Sequence, residues 1–498
     1  MLTHLRHGAR LFRTAILFAR HDALFPLEVV PQLRPLVRFA RPLARPAPGL
    51  RPGERLRAAL EAAGPSFIKL GQSLSTRADL FGEEVVEDLA RLQDRLPPFP
   101  GEEARRIVER ELGRPVGELF ADFDPEPVAA ASIAQVHRAR TPDGREVAVK
   151  VLRPDIERAM EEDIAFFLWL ARTAVRLHPP LSRLKPVEAV EIFAETTRRE
   201  LDLRLEAAAA AEFAENNRDE EGFRVPAVDW ERTARRVLTL EWVEGLPVVD
   251  RARLVEAGFD PHVLMQRAAR VLFNQIFRDG FFHADMHPGN MLVDRHGNIV
   301  ALDFGIMGRI DFETRVQLAR MLIAFLTGDY ATVADVFYEA GFVRDERHRA
   351  AFTQACRAIG EPIRGRPLEE ISFGRLLGEV LSIAHEFEME TQPHLLLLQK
   401  TMVMAEGVGR ALDPSVNLWT LAEPMVVEWM RENLGPEREL QRALADAGRA
   451  ARRLPLLVSR GERLLARLED GEGTGAPPWL GSPWPWVLLG LALGLALS

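Results

Sequence analysis

Cysteine is almost absent from this chain of 498 residues. Cys356 is the only one, so an internal disulfide is impossible and zinc sites built on thiolates have no ligands. No segment repeats at a fixed period, which argues against a solenoid or a propeller. Neither a zinc-finger spacing nor an aromatic-rich RNA motif occurs, so nucleic acid is not an expected partner. The N-terminus lacks a secretory signal: LFRTAILFAR is interrupted by arginines, and no small-residue cleavage site follows. Long apolar runs are missing too, except at the very end. WPWVLLGLALGLALS, 484–498, is apolar to its last residue, yet falls short of the roughly 20 residues that span a bilayer comfortably.

What is present describes a globular protein. Hydrophobic residues make up 47% and charged residues 28%, and the length calls for two or three units rather than one core. The net charge of −9 is uneven. Residues 1–60 hold eleven arginines against Asp22, Glu28 and Glu54, a local balance of +8 that leaves −17 for the rest. A basic arm on an acidic body fits an anionic surface as partner, with a solvated basic face as the competing reading. Upstream of the apolar C-terminus lie Arg449, Arg452, Arg453, Arg460, Arg463 and Arg467, and Trp479, Trp484 and Trp486 sit at its edge. This pattern predicts a C-terminal membrane-associated helix that holds the body on the cytoplasmic side. A buried final helix is the alternative.

Residues 31–53, rich in Pro and Arg, read as a linker, so 1–53 is expected to form a basic arm and linker. Residues 54–120 read as a helical extension broken at Pro97, Pro98 and Pro100. REVAVKVLRP, 145–154, alternates about its valines as a strand does, and Asp143-Gly144 marks a hairpin turn from a preceding strand, VHRAR. Residues 155–217 are helical in pattern, and VLTLEWVEG, 237–245, returns to strand. Helices follow to about 280, a short strand covers 298–302, and 311–470 is helical again. The expected units are therefore a small strand-rich lobe over 121–245, a helical lobe over 246–470, and a linker with membrane anchor over 471–498. The fold class is α+β: two lobes, with a small antiparallel sheet in the first.

HADMHPGNMLV, 283–293, raises the question of chemistry. His283, Asp285 and His287 form a set that can ligate zinc. Asp285 and Asn290, five apart, also match the spacing with which a kinase catalytic loop carries its acid and a magnesium ligand. The remainder of the chain favours phosphate. Lys150 ends VAVK on a strand, where a phosphate-binding lysine sits, and Asp303-Phe304-Gly305 follows a strand as a magnesium-binding DFG does. Under this reading His283 and His287 are structural, and His287 caps the Pro288-Gly289 turn. The zinc reading would leave Lys150 and Asp303 without a role.

At this point the chain resembles the UbiB family of atypical kinase-like proteins, over about residues 60 to 415. The family's KxGQ motif matches FIKLGQSLSTR (Lys69, Gly71, Gln72), and its alanine-rich loop matches VAAASIAQVH (Ala129, Ala130, Ala131, Ser132). Its ExD motif matches ELDLRLEA (Glu200, Asp202), and HADMHPGN and LDFG complete the set. The resemblance implies a kinase-like fold in which Lys150 pairs with Glu206 and Asp285 is the catalytic acid. Asn290 and Asp303 would bind Mg2+. The alanine loop, Val136, Lys150 and the hinge from Glu241 to Val243 would surround ATP. Lys69 and Gln72 would lie over the site near Glu200 and Asp202 in a regulatory role. Three departures stand out: alanines fill 207–211 where relatives carry an asparagine, Ala78 replaces a proline, and Met286 stands where many relatives have proline.

The function implied is an ATP- and Mg2+-dependent kinase-like ATPase or phosphotransferase on the cytoplasmic face of the bacterial inner membrane. It would support ubiquinone biosynthesis by acting on or presenting prenylated quinone intermediates. A protein kinase acting on a biosynthetic hydroxylase, and a nucleotide-binding scaffold without turnover, are the alternatives. Alanines restrict φ, so the alanine loop is expected to be stiffer than a Gly-rich loop and to offer phosphate fewer mobile amides.

Overall fold

The computed structural model describes residues 2–25, 37–38, 41–43, 49–75, 82–90, 92, 96–343, 346–362, 372–387, 393–413 and 418–434. The chain divides into two compact units, Met1–Glu423 and Pro424–Ser498. Of the second, only 424–434 is described, as the end of a helix.

The N-terminal stretch begins with α1 (Leu2–Arg20), followed by α2 (Pro52–Ala63), α3 (Pro65–Leu74) and α4 (Glu83–Ala90). Glu54 accepts the Arg51 N–H at 2.8 Å, and Pro52 occupies a first-turn position where no N–H is needed. Gly64, at φ +107°, turns the chain between α2 and α3. Far from hanging as a loose arm, α1 packs Leu11 and Phe18 on a core of Ala23, Leu56, Leu60, Phe67 and Leu89. Arg10, Arg51 and Arg55 pair with Asp163, Asp88 and Asp22, so part of the N-terminal positive charge is neutralised within the fold. Most of the expected linker, and Ala78, lie outside the described residues.

Next come α5 (Gly101–Leu112) and α6 (Val116–Leu119), then β1 (Asp122–Phe123), β2 (Ala129–Ala130), β3 (Ala134–Arg140) and β4 (Glu146–Leu152). Three helices follow, α7 (Ile156–Leu177), α8 (Pro186–Glu200) and α9 (Leu203–Asn216), and then β5 (Phe223–Arg224) and β6 (Val237–Glu241). The first sheet is antiparallel in the order β1-β3-β4-β6, with β2 on β3. Alternation along β4 sets its two faces. Val147, Val149 and Val151 are buried with Ile107 and Val108 of α5, which turns Ala148 and Lys150 toward a cavity. The expected hairpin is present, with Gly144 at φ +87° in its turn.

The helical pattern read across 155–217 is interrupted twice. Pro179, Pro180 and Pro186 break it between α7 and α8, because proline lacks the amide that a helix interior needs. Asp202 breaks it again, at the N-cap of α9, where its carboxylate accepts the Arg204 N–H.

The second lobe opens with β7 (Gly245–Pro247), α10 (Arg251–Glu256) and α11 (Pro261–Phe273). A π-helical turn, Asn274–Asp279, leads into β8 (Phe281–His283), β9 (Met291–Asp294), β10 (Ile299–Ala301) and β11 (Met307–Arg309). Two short sheets, β5-β10-β9-β7 and β8-β11, frame the loops 284–290 and 302–306. Only β10 was visible in the sequence pattern. Helices α12 (Phe312–Thr327), α13 (Tyr330–Glu339), α14 (Arg349–Gly360), α15 (Phe373–Glu386) and α16 (Pro393–Leu412) complete the lobe. Asp250, Asp260, Asp311 and Asp329 each cap a helix by accepting a first-turn amide.

The result is the expected α+β fold, with a small antiparallel sheet and a largely helical second lobe. Among the described residues, no helix is long and apolar enough to cross a membrane. The predicted C-terminal anchor, with its arginines and tryptophans, lies outside them.

Candidate active site

β4 delivers Lys150 from one lobe, and the loop after β10 delivers Asp303 from the other. Lys150 Nζ donates to Glu206 Oε1 at 2.7 Å and Oε2 at 3.0 Å, and to Asp303 Oδ2 at 3.4 Å. Burial disfavours the ammonium, but the charges of Asp303 and Glu206 outweigh it and raise its pKa. Burial also raises the pKa of Glu206, assisted by the nearby charge of Asp303. Against its own burial, Asp303 is held well below the usual carboxylate range by Lys150 and by the Gly305 N–H, which it accepts at 2.9 Å. The trio therefore sets one ammonium against two acidic side chains from the two lobes.

Asn290 is tied to the same place through the backbone. Its carbonyl accepts the Leu302 N–H at 3.0 Å, one residue before Asp303, and its Nδ2 donates to the Asp285 carbonyl at 3.4 Å. The amide oxygen of Asn290 and the carboxylate of Asp303 are hard donors of the kind Mg2+ takes beside a nucleotide. Asp285 lines the cavity, and its Oδ1 accepts from Lys400 Nζ at 2.9 Å.

His283 and His287 do not form a metal site. The Asp285 N–H donates to His283 Nδ1 at 3.1 Å, so the ring proton is on Nε2, which donates to the Asp303 carbonyl. Burial keeps this imidazole neutral by lowering its pKa. Both of its nitrogens are thus occupied in joining the loops 284–290 and 302–306. The Gln275 side chain, from the π-helical turn, accepts the His283 N–H at 3.1 Å. His287 Nδ1 accepts the Gly289 N–H at 3.0 Å, a local cap. Among the described residues, no three His, Cys, Asp or Glu side chains are gathered to hold a metal, and the zinc triad is set aside.

The alanine loop is held tightly. Ala129 and Ala130 pair with Val136 and Gln135 across β2 and β3, and the Ala131 N–H donates to the Ala134 carbonyl at 2.8 Å. Arg153 donates to the Ala131 carbonyl at 3.0 and 2.8 Å. Ala129, Ala130, Ala131 and Val136 line the cavity. Ser132 does not: it is fully buried, which corrects its expected place beside nucleotide. At the hinge, Glu241, Trp242 and Val243 line the cavity. The Glu241 N–H is committed to the Ala227 carbonyl, and its carboxylate to Arg224 at 2.9 and 3.0 Å.

On α3, Lys69 reaches across to Glu200 at the end of α8, Nζ to Oε2 at 2.9 Å, and Gln72 lines the same cavity. Asp202 departs from expectation. Its carboxylate faces Arg204 at 2.8 and 2.6 Å rather than Lys69, because the N-cap position of α9 claims it. The side chain that sequence reading missed is Lys400, on α16. A compositional signal existed: only four of the 64 basic residues are lysines, Lys69, Lys150, Lys185 and Lys400, and all four line this cavity.

Comparison with known proteins agrees with this geometry. Residues 91–337 match the ABC1 atypical kinase-like domain, and residues 356–417 match the UbiB helical domain. A probable protein kinase UbiB of Marinobacter nauticus is 42% identical, over 90% of this chain and 84% of that one. Its counterpart in Pseudomonas aeruginosa is 40% identical, over 100% of this chain and 94% of that one. A solved Mycobacterium tuberculosis protein, Rv3197 in complex with erythromycin, is 28% identical with a TM-score of 0.47, covering 71% of this chain and 90% of that one. With both domain models matched in order, and relatives aligned over nearly its whole length, the chain belongs to the UbiB family of atypical kinase-like proteins.

Proposed function

We propose that this kinase-like phosphotransferase binds MgATP in the cavity between its lobes and uses it, at a membrane, to support ubiquinone biosynthesis. The observation that carries the reading is Lys150 held between Glu206 and Asp303, with Asn290 tied to the loop of Asp303. Lys150 would meet the α/β-phosphates, and Asn290 and Asp303 would hold Mg2+. When bound, the metal neutralises charge on the phosphates. Asp285 accepts the proton of the attacking hydroxyl or water, and the pinned alanine loop offers a fixed rather than mobile cover.

The pathway rests on membership of the family. The membrane rests on the apolar C-terminus, its tryptophans and the arginines before it. The salt bridge between Lys69 and Glu200, lining the same cavity as Lys150, would form a wall there. That wall favours water or a small headgroup over a protein chain as acceptor.

The test is Asp303→Asn in the full-length protein, assayed for ATP hydrolysis with anionic liposomes and for quinone levels in a strain lacking the gene. The variant is expected to lose Mg2+-dependent ATP binding by at least about tenfold, or about 1.4 kcal/mol. It should also fail to restore the quinone that the wild type restores. Unchanged hydrolysis would remove Asp303 from the metal site. A deletion strain with normal quinone would remove the pathway.

A further inference from the structure

Lys400 belongs to neither the kinase motifs nor the family motifs quoted above. It lies on α16, within the helical-domain match over 356–417 and outside the kinase-like match over 91–337. Yet its Nζ is 2.9 Å from Asp285 Oδ1, at the position expected to receive the substrate proton. The partners are 115 residues apart in sequence.

Its bonding differs from that of Lys150. Lys150 meets three carboxylate oxygens with its three N–H groups. Lys400 meets one, and Asp285 Oδ2 accepts no hydrogen bond among the described residues. Both side chains are about one-third exposed, at 35% and 32%, and both face the cavity. A pair buried within the protein would need every donor and acceptor filled; this one, open to the cavity, keeps its remaining atoms accessible. Those atoms face the cavity, where a bound substrate can reach both partners.

Resting on the reading of the site as a phosphoryl-transfer centre, we propose that Lys400 is a catalytic cation supplied by the helical domain. It holds Asp285 through one N–H and contacts the transferring phosphoryl oxygens through the others. In the step, the attacking O–H gives its proton to Asp285 Oδ2 and its oxygen bonds to the terminal phosphorus. The bond from that phosphorus to the bridging oxygen breaks, and ADP leaves with the electron pair. Lys400 transfers no proton; it offsets the charge that develops on the phosphoryl oxygens.

A compact ammonium can divide its donors between a carboxylate and a phosphoryl group. A guanidinium prefers to place its planar fork on one partner. That difference accounts for a lysine here in a chain whose basic residues are mostly arginine. It also makes the kinase-like domain incomplete without the helical domain.

The experiment measures MgADP and MgATP affinity by calorimetry, and phosphate release, for the full-length wild type, Lys400→Met and Lys400→Arg. Since ADP lacks the phosphoryl group in question, both variants are expected to keep ADP affinity within about twofold, while Lys400→Met loses turnover by about a hundredfold and its preference for ATP over ADP. Lys400→Arg is expected to recover only part of the turnover, for the geometric reason above.

Normal or increased turnover in Lys400→Met would overturn the proposal; an increase would make the lysine a restraint on Asp285. If Lys400→Met loses ADP binding as well, Lys400→Arg decides, and full turnover in it overturns the proposal. A wild type that neither binds nor hydrolyses MgATP would overturn the reading of the whole site, an outcome distinct from a competent wild type with an indifferent Lys400.

Discussion

Around Lys150, three acceptors at 2.7, 3.0 and 3.4 Å meet the three N–H groups of one ammonium. The match is to a small cation with rotatable donors, set under a sheet whose opposite face is packed with valine. A guanidinium at this position keeps the charge but extends further and fixes its donors in a plane. Lys150→Arg is therefore expected to weaken MgATP binding by at least about tenfold, or about 1.4 kcal/mol, even though no charge is lost. Calorimetry checks this, and wild-type affinity would show that charge alone is read at the site. Lys150, Asp285, Asn290 and Asp303 were legible in the sequence because each sits in a local pattern: an alternating strand, or a loop of fixed spacing. Lys400 was not, because its neighbours in sequence describe only the apolar face of a helix, and its partner is brought to it by the fold. His283 was ambiguous for a related reason. Spacing presents it as a possible zinc ligand, but the tautomer that excludes this is set by two backbone groups from different loops.

Helix α3 shows how a motif acts as an element. Lys69 and Gln72 line the cavity, while Gly71 faces away from it. A Cβ at Gly71 would stand 2.5 Å from Leu92 Cδ1 and 2.7 Å from Leu60 Cδ1. The glycine thus allows α3 to lie close on α2, and this closeness aims Lys69 at Glu200. Two effects oppose each other on substitution. Alanine gains about 1 kcal/mol of helix propensity over glycine, while overpacking a filled core costs about 1–3 kcal/mol. Leu60 and Leu92 are both buried in the same cluster, so neither can move aside cheaply and the overlap wins. Gly71→Ala is expected to lower the Tm, and a rise would show that the leucines repack without cost. At this scale the hairpin of β3 and β4 was legible from its alternation and its Asp-Gly turn. The short strands β5, β8, β9 and β11 were not, because two to four residues carry too little periodicity to register.

Over the whole molecule, the chain forms two compact units, and Met1–Glu423 is one of them. The stretch read as a basic arm contributes a helix to the core, and the helical domain contributes a lysine that meets Asp285. Whether such a unit opens as one body can be read from its only thiol. Cys356, on α14, is 1% exposed, and burial pushes its thiol up to about 12. Its neighbour on the same helix, Phe352, packs edge-to-face with Phe337 and Phe387 of adjoining segments at ring separations of 5.2 Å. At pH 8 an ordinary thiol is partly ionised and reacts readily, whereas this one reacts only after α14 has left its place. Labelling by a disulfide reagent is therefore expected to be negligible in the native protein and to rise only across the denaturant range where the whole unit unfolds. MgATP should slow it further, because a ligand that binds only the closed cavity stabilises every element that must separate to open it. Rapid labelling in native buffer, unaffected by nucleotide, would mean that α14 detaches independently. The Lys400 contact would then be made by a segment free to come and go, rather than by part of one cooperative body.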